Sequence, residues 1–358
     1  MSLPTTPINV ADYQRLAGGI LAAGPLGYFD GGAAGENTLD ANERAWSKFK
    51  LRPRVCVDVS SISTATSVLG QELSAPLVVA PTALQRMAHD DGEIGMAKAA
   101  ASAGSLMVCS TLASTPLAQI AAAAPSAPRW LQLYLCRDRA VSDALVEQGV
   151  DAGASAIVVT VDAPYPGRRE RDLRNGFVVP DGIDMPGVTA ALGRSEGLSV
   201  EEFFSIVDPS LDWLALEDFI SSSPLPVLIK GVQCGEDARL ACEHGVAGII
   251  VSNHGGRQLD NVAATADVLG EVVDAVGGQV EVLVDGGIRR GSDICTALAL
   301  GAKAVLVGRP ALWGLTVGGS AGAADVLRLL ADELSLAMAL LGARSPAELN
   351  RGHLAKNG

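Results

Sequence analysis

Eight short apolar runs, each followed by a stretch with helical periodicity, constrain the fold of this chain more than any other feature. Each run is apolar throughout instead of alternating with polar residues, which is typical of parallel strands that are covered on both faces. The runs are 77–83, 106–111, 130–135, 156–162, 226–231, 248–253, 281–287 and 304–309. Eight consecutive βα units predict an α/β fold, a closed (β/α)₈ TIM barrel, in preference to an open doubly wound sheet.

The stretches between the strands carry helix signals of their own. Residues 92–104, 236–245 and 292–301 each end in glycine, the residue that helix C-termini favour. In the third of these stretches, Ser292 is a candidate N-cap and Asp293 would lie in the first turn. Helices after strands complete the βα units that the barrel requires.

Two regions lie outside the βα pattern. The first precedes strand one and predicts helices near 10–22 and 36–48 and a hairpin around Gly70. The second separates strand four from its helix and exceeds the two to six residues of an ordinary βα loop. A mobile lid over the catalytic face is our preferred interpretation of it, and a passive insertion is the alternative. We therefore expect one domain over 1–358, made of an extension (1–76), a barrel (77–320) with an insertion (163–212), and a C-terminal helical segment (321–358).

Composition excludes several classes of function. The net charge of −13 disfavours a general nucleic-acid surface, since phosphates need a basic face. No apolar run approaches the roughly 20 residues that span a bilayer, and the N-terminus lacks a secretory signal, so we expect a cytoplasmic protein without a membrane segment. The six cysteines form no C-x-x-C pair and show no metal-like spacing with histidine, so no metal is expected.

Polar side chains follow the strands at the end of the barrel where active sites lie. Strand six runs directly into SNHGGRQLD, which makes His254 a candidate base and Arg257 a candidate fork for a carboxylate. Asp162, at the end of strand four, is placed to orient and polarise His254. A cluster of arginines follows in an otherwise acidic protein, and we expect at least one of them to bind a ligand: Arg168, Arg169, Arg171 and Arg174.

Strands five, seven and eight end in groups that suit a phosphorylated cofactor. Lys230 closes strand five, either as a cation beside a cofactor or as a lysine reaching solvent at the barrel mouth. Glycine-rich loops after strands seven and eight form the usual phosphate site of phosphate-binding barrels. The residues that fit this role are Gly286, Gly287, Gly308 and Arg309.

At these residues the chain resembles the FMN-dependent L-2-hydroxy acid oxidase and dehydrogenase family, which includes glycolate, lactate and mandelate or hydroxymandelate oxidising enzymes. The resemblance covers nearly the whole chain. Its most specific motif is SNHGGRQLD, supported in order by APTA (80–83), LQLY (131–134), TVDAP (160–164), GRRERDLRN (167–175), LIKG and LVDGGIRRG.

The resemblance implies roles for individual residues. His254 would be the catalytic base with Asp162 as its partner, and Tyr134 would lie near the substrate hydroxyl. The substrate carboxylate would be held by Arg169, Arg257 and Tyr28. Contacts to FMN would come from Pro81, Thr82, Ala83, Ser110, Gln132, Thr160, Lys230, Ser252, Asp285, Gly287, Arg289, Gly308 and Arg309.

One position departs from the family pattern. Leu112 stands where glycolate oxidase has a tryptophan in the loop after strand two, which leaves more apolar room. We therefore expect a substrate that is bulkier than glycolate, with an aryl or branched side chain.

The resemblance implies oxidation of an L-2-hydroxy acid to the 2-oxo acid by hydride transfer to flavin N5, with O₂ as acceptor and H₂O₂ as product. A non-O₂ acceptor, an FMN-dependent isomerase on a related barrel and a non-catalytic flavin-binding module are the alternatives. The resemblance also suggests a homotetramer, and it leaves the exact substrate open.

Overall fold

The barrel predicted from the sequence is confirmed. The structure, a computed structural model, describes residues 6–355, so residues 1–5 and 356–358 at the two ends of the expected domain lie outside the described part. Eight parallel strands close in the order β10-β3-β4-β5-β6-β7-β8-β9. They are β3 (Leu77–Val79), β4 (Leu106–Cys109), β5 (Arg129–Leu133), β6 (Ile157–Thr160), β7 (Val227–Val232), β8 (Gly248–Val251), β9 (Glu281–Val284) and β10 (Ala304–Val307).

Side chains fill the inside of the barrel, as in other barrels of eight strands. This inner cluster includes Val78, Leu106, Trp130, Leu228 and Leu283, all fully buried. The predicted hairpin, β1 (Thr66–Val68) and β2 (Gln71–Leu73), closes the N-terminal end with the buried side chains of Val68 and Leu73. The interior is therefore a packed core, and the opposite end is left to carry the site.

One helix of the outer ring follows each barrel strand. These helices are α4 (Gly92–Ser102), α5 (Leu117–Ala123), α6 (Arg139–Asp151), α10 (Trp213–Ser222), α11 (Gly235–Glu243), α12 (Thr265–Val276), α13 (Gly291–Leu300) and α14 (Arg309–Leu341). Non-helical backbone at Gly318 and Gly319 breaks α14 into two parts. No helix among residues 6–355 is both long and apolar enough to cross a membrane.

Ser292 does not cap α13, so that prediction is wrong. The helix begins at Gly291 with Arg290 as its N-cap, two residues earlier than a Ser292 cap requires. The backbone N–H groups of Arg289 and Arg290 both donate to Asp293 Oδ2 at 2.9 Å. The carboxylate that was expected to lie in the first turn thus satisfies the free donors of the N-terminus in place of the serine hydroxyl.

The N-terminal extension covers part of the C-terminal end of the barrel. Its helices are α1 (Val10–Ile20), α2 (Ala23–Asp30) and α3 (Asn37–Trp46), close to the predicted positions of two of them. Trp46 Nε1 donates to the carbonyl of Gly286 at 2.8 Å, and Asn42 Nδ2 donates to Asn253 Oδ1 at 2.8 Å. These bonds attach α3 to the loops after β9 and β8, next to the candidate site.

The insertion between β6 and α10 contains three short helices, α7 (Glu170–Asn175), α8 (Pro186–Ala191) and α9 (Val200–Ile206). It is attached to the extension by an ion pair between Arg171 and Glu36 at 2.5 Å. The rings of Tyr28 and Phe177 also stack, with centroids 4.9 Å apart. The insertion therefore lies over the same end of the barrel as α2, and its mobility stays a prediction.

Candidate active site

An open cavity of about 1020 Å³, including the solvent at its mouth, lies at the C-terminal ends of the barrel strands. Apart from three arginines of the 168–174 cluster, all the predicted site residues except two line it. The lining set is Tyr28, Pro81, Thr82, Ala83, Ser110, Leu112, Gln132, Tyr134, Thr160, Arg169, Lys230, His254, Arg257, Asp285, Gly286, Gly287, Arg289, Gly308 and Arg309. The exceptions, Asp162 and Ser252, each contact a residue that lines the cavity.

A strained turn after β8 presents His254 to the cavity. Its φ is +57°, an uncommon value for a residue with a side chain, and Gly255 and Gly256 continue with φ of +62° and +75°. The backbone N–H of Gly256 donates to Asn253 Oδ1 at 3.2 Å, and that of His254 donates to Ser252 Oγ at 3.0 Å. Ser252 and Asn253 are themselves buried, so the packed strand end maintains the strain.

His254 and Asp162 form a buried pair. The Nδ1 atom of His254 lies 2.8 Å from Oδ1 of Asp162. Burial lowers the pKa of His254, Asp162 opposes this, and the net direction is downward. Burial raises the pKa of the Asp162 carboxyl, but His254 and Lys230 outweigh it and the net direction is also downward. At neutral pH the carboxylate is therefore charged and the imidazole is neutral, so Nδ1 carries the proton and donates it in a hydrogen bond to Asp162 Oδ1, and Nε2 is free to accept a proton.

Two guanidinium groups lie over one aromatic ring. The Cζ atoms of Arg257 and Arg169 are 5.0 and 5.8 Å from the ring centroid of Tyr28. Arg257 Nη1 also donates to the carbonyls of Tyr28 at 2.5 Å and Gly31 at 2.9 Å. Burial and the nearby Arg169 lower the pKa of Arg257 to about 9, so it is still charged at neutral pH. Two positive charges concentrated in an acidic protein suit a small carboxylate.

Only Arg169 of the predicted arginine cluster reaches the cavity. Arg171 pairs with Glu36, Arg174 pairs with Glu170, and Arg168 is exposed. Arg169 Nε is buried and has no partner within residues 6–355, which leaves a donor for a ligand. That at least one of the four binds a ligand stays a prediction, and the cavity lining points to Arg169 as that residue.

Lys230 is buried and paired, so it does not reach solvent at the barrel mouth. It is 4% exposed, its Nζ donates to Ser252 Oγ at 2.8 Å, and Asp285 Oδ2 lies 3.3 Å away. Burial lowers the pKa of Lys230, but Asp285 and Asp162 outweigh this and the net direction is upward. The ammonium group of Lys230 thus places a positive charge at a fixed position in the cavity wall.

A row of polar groups lies at the C-terminal ends of β4, β5 and β6. Gln132 Nε2 donates to Thr160 Oγ1 at 3.1 Å, and Gln132 Oε1 accepts from the N–H of Thr111 at 3.1 Å. Ser110 Oγ lies 3.4 Å from the same oxygen. Tyr134 lies beyond this row, and burial raises the pKa of its phenol, which keeps its proton at physiological pH.

The loops after β9 and β10 form a cationic corner. Arg309 donates from Nε to the carbonyl of Phe29 at 3.0 Å and from Nη2 to that of Gly31 at 2.9 Å. Arg289 Nη2 donates to Glu43 Oε1 at 2.6 Å, and its Cζ lies 4.9 Å from the ring centroid of Trp313. Arg309 is also the first residue of α14, so the positive end of that helix points the same way.

Several residues that line the cavity are not predicted by the sequence patterns. Phe204, on α9 of the insertion, lines the cavity, and its ring centroid is 5.6 Å from that of Tyr134. Phe29, Gly255, Ile288 and Leu312 line it too. The capping box formed by Ser199 and Glu202 predicts a helix that contains Phe203 and Phe204, but nothing local indicates which of them faces the cavity. Among residues 6–355, no group of three or more His, Cys, Asp or Glu side chains is arranged to hold a metal ion.

Comparison with known proteins identifies the family. A statistical model of the family described as FMN-dependent dehydrogenase matches residues 18–356.

The chain belongs to the FMN-dependent dehydrogenase family.

Relatives of this FMN-dependent enzyme match it along nearly their whole length. An L-lactate oxidase of Nostoc sp. is 47% identical over 99% of this chain and 100% of the relative. The 2-hydroxyacid oxidase 1 of Homo sapiens is 44% identical over 98% of this chain and 97% of the relative. A solved structure of mandelate oxidase superposes with a TM-score of 0.91 at 41% identity, covering 98% of both chains.

The residues of this family member fit FMN on structural grounds. Asp285 Oδ1 and Arg289 Nε line the cavity region, are buried, and have no partner within the described residues, so each can bond a ligand atom. Gly287 has a φ of +77°, and a Cβ there would collide with the carbonyl oxygen of Asn42. The loop after β9 can therefore pass this close to the backbone of Asn42 only because residue 287 is a glycine. Arg289, Arg309 and the start of α14 suit a phosphate, and the Gln132 row suits the polar edge of a flavin ring.

Proposed function

We propose that this enzyme oxidises (S)-2-hydroxy acids to 2-oxo acids, with O₂ as electron acceptor. The observation that carries the proposal is a single cavity shared by the neutral imidazole of His254 and the guanidinium groups of Arg169 and Arg257. The imidazole can take a proton from a hydroxyl, and the guanidinium groups can bind a carboxylate. A 2-hydroxy acid carries these two groups on adjacent carbons.

The chain's own groups supply binding and proton transfer. Arg169 and Arg257 hold the substrate carboxylate, and Tyr28 lies beneath both guanidinium groups. His254 Nε2 takes the hydroxyl proton, and Asp162, 2.8 Å from Nδ1, stabilises the imidazolium that forms. FMN, when bound, accepts the two electrons of the substrate C–H bond, so that the products are a 2-oxo acid and reduced cofactor. The buried charge of Lys230 favours negative charge developing at its end of the cavity.

The substrate side chain is expected to be aryl or branched. Leu112 is 3% exposed and lines the cavity, and Phe204 and Tyr134 add aromatic surface nearby. A leucine occupies less volume than a tryptophan, so this wall leaves space for an apolar group. A structure of mandelate oxidase with (S)-4-hydroxymandelic acid, at a TM-score of 0.90 and 41% identity, supports this choice of substrate class.

The test is anaerobic titration of the yellow protein with matched enantiomers. We expect (S)-mandelate and (S)-2-hydroxyisocaproate to bleach the visible flavin absorbance faster than glycolate does, and their (R)-enantiomers to leave it unchanged. Admitting air should restore the colour and produce H₂O₂. A flavin that no 2-hydroxy acid bleaches would refute the proposed reaction, and colour that returns only with an added acceptor would refute O₂.

A further inference from the structure

Glu93 is a fully buried carboxylate that the proposed reaction does not use. It is 0% exposed and lies in the first turn of α4. Its two oxygens accept from the N–H of Gln85 at 3.0 Å, the N–H of Ser114 at 2.8 Å, the Ser114 hydroxyl at 3.0 and 2.8 Å, and the Thr115 hydroxyl at 2.8 Å. These donors and the positive end of the helix compensate for burial of the charge.

The donors belong to two loops that line the cavity. The β3 loop, residues 80–91, contributes Gln85 together with the lining residues Pro81–Ala83. The β4 loop, residues 110–116, contributes Ser114 and Thr115 together with the lining residues Ser110 and Leu112. One side chain outside the cavity therefore bonds both loops at once.

Direct hydrogen bonds between the β3 and β4 loops link the surroundings of Glu93 to the residues that line the cavity. The N–H of Leu84 donates to the carbonyl of Leu112 at 2.9 Å, and the N–H of Arg86 donates to Ser114 Oγ at 3.1 Å. Gln85 Nε2 donates to Thr82 Oγ1 at 2.9 Å. Leu84 is fully buried with a φ of +53°, a strained value that needs its surroundings to persist. A shift of either loop would thus move Thr82 and Leu112 relative to each other.

We propose that Glu93 is a positioning residue, which fixes the spacing of the β3 and β4 loops and thereby sets both the affinity for FMN and the preference for bulky substrates. The expected effect on FMN affinity requires only that the chain is an FMN-dependent family member. The substrate part rests on the proposed function.

Two variants of Glu93 separate the hydrogen bonds from the charge. Glu93→Ala removes every acceptor and leaves the N–H groups of Gln85 and Ser114 buried without partners. In Glu93→Gln one oxygen still accepts both N–H groups, and the Ser114 and Thr115 hydroxyls can rotate to accept from the new amide. Glu93→Gln should therefore rescue the loop spacing.

Ser105→Ala is the matched control. The Ser105 hydroxyl donates to the carbonyl of Leu77 at 2.7 Å and so joins β3 and β4 at the opposite end of the same two strands. Its removal is expected to lower Tm without moving the cavity wall. A purely structural Glu93 would behave in the same way.

The measurements are Tm, the Kd of FMN from quenching of its fluorescence, and the ratio of kcat/KM for (S)-mandelate to that for glycolate. In Glu93→Ala we expect the Kd of FMN to rise about tenfold, equivalent to ~1.4 kcal/mol, and the substrate ratio to fall in parallel. Glu93→Gln and Ser105→Ala should keep both quantities near wild type. Because the Kd needs no substrate, it tests Glu93 even if wild-type protein oxidises no 2-hydroxy acid.

The proposal is overturned if Glu93→Ala matches Ser105→Ala, with a lower Tm but an unchanged Kd and substrate ratio. If Glu93→Ala yields no folded protein, Ser114→Ala takes its place, because it removes the hydroxyl that links Glu93 to Arg86 and leaves the backbone donor intact. A smaller shift in the same direction supports the proposal. A wild-type Kd in folded Ser114→Ala contradicts it.

Discussion

His254 Nδ1 and Asp162 Oδ1 are 2.8 Å apart, although the two residues come from the loops after β8 and β6, with strand β7 between them, and are 92 positions apart in the sequence. The side chain of Asp162 is 7% exposed, and its second oxygen has no partner within residues 6–355. The carboxylate is thus directed at the imidazole and not at solvent. This pair determines which nitrogen of His254 can act as a base.

Replacing Asp162 with asparagine should greatly slow substrate oxidation. The amide cannot stabilise the imidazolium that forms when His254 takes a proton, and we expect kcat to fall by roughly 10²–10⁴-fold. Glu217→Gln is the matched control, since Glu217 Oε2 lies 2.9 Å from Nδ1 of His244, outside the cavity. The measurement is the steady-state kcat of both variants, and Glu217→Gln should match wild type. An equal kcat for Asp162→Asn and wild type would contradict the role of the His254–Asp162 pair.

The pH dependence of kcat/KM should follow protonation of His254. Its pKa is held below the ordinary value of about 6.5, so the neutral, proton-accepting form is present above that pH. Activity is therefore expected to be constant through neutral pH and to fall as the pH drops through the lowered pKa. A profile measured between pH 4.5 and 8 (~1.5–2 units either side of the unperturbed value) tests this. An acid limb centred above that value would contradict a buried neutral imidazole.

Replacing Arg257 with lysine should mainly weaken substrate binding. An ammonium keeps the charge but loses the forked geometry and the stacking on Tyr28. Loss of one charge-assisted contact of ~1.5–3 kcal/mol predicts a rise in KM of roughly 10- to 100-fold. Arg171→Lys is the control within the insertion, because that residue pairs with Glu36 at 2.5 Å. A large fall in kcat with constant KM would show that Arg257 acts on the reaction step instead.

Replacing Gly287 with alanine should impair FMN binding. The new Cβ would collide with the carbonyl oxygen of Asn42, so the loop after β9 must move. Gly278→Ala is a control with the same backbone strain, since its φ is +81° and a Cβ added there would meet no atom within 4 Å. It should cost only about 1 kcal/mol of stability. The FMN content of the purified proteins gives the result, and full FMN occupancy in Gly287→Ala would count against this loop as the cofactor cradle.

Much of the site could be predicted because a barrel brings all its strand ends together. His254, Lys230 and Asp285 are far apart in the chain, yet each follows or ends an apolar strand, so the closed topology alone places them around one opening. The family resemblance added Tyr28, which belongs to no strand. Its place beneath Arg169 and Arg257 depends on how α2 packs on the barrel.

The remaining features depend on contacts that sequence spacing does not specify. Four arginines follow β6 within seven residues, and the spacing does not show that Arg171 and Arg174 pair with acidic side chains, that Arg168 is exposed, and that Arg169 lines the cavity. Phe204 and Glu93 were missed for the same reason. A phenylalanine in a capped helix and a glutamate in a first helical turn are ordinary surface patterns, and tertiary packing buries both.

Anaerobic reduction of the flavin in the His254→Ala variant isolates the step in which the base takes the substrate's hydroxyl proton. Stopped-flow absorbance with saturating (S)-2-hydroxy acid would be compared with wild type, after FMN content has been shown to be equal. If His254 is the base, the variant should bind FMN normally and its flavin should be reduced about 10²–10⁴-fold more slowly with every 2-hydroxy acid. Reduction at the wild-type rate would contradict this role of His254.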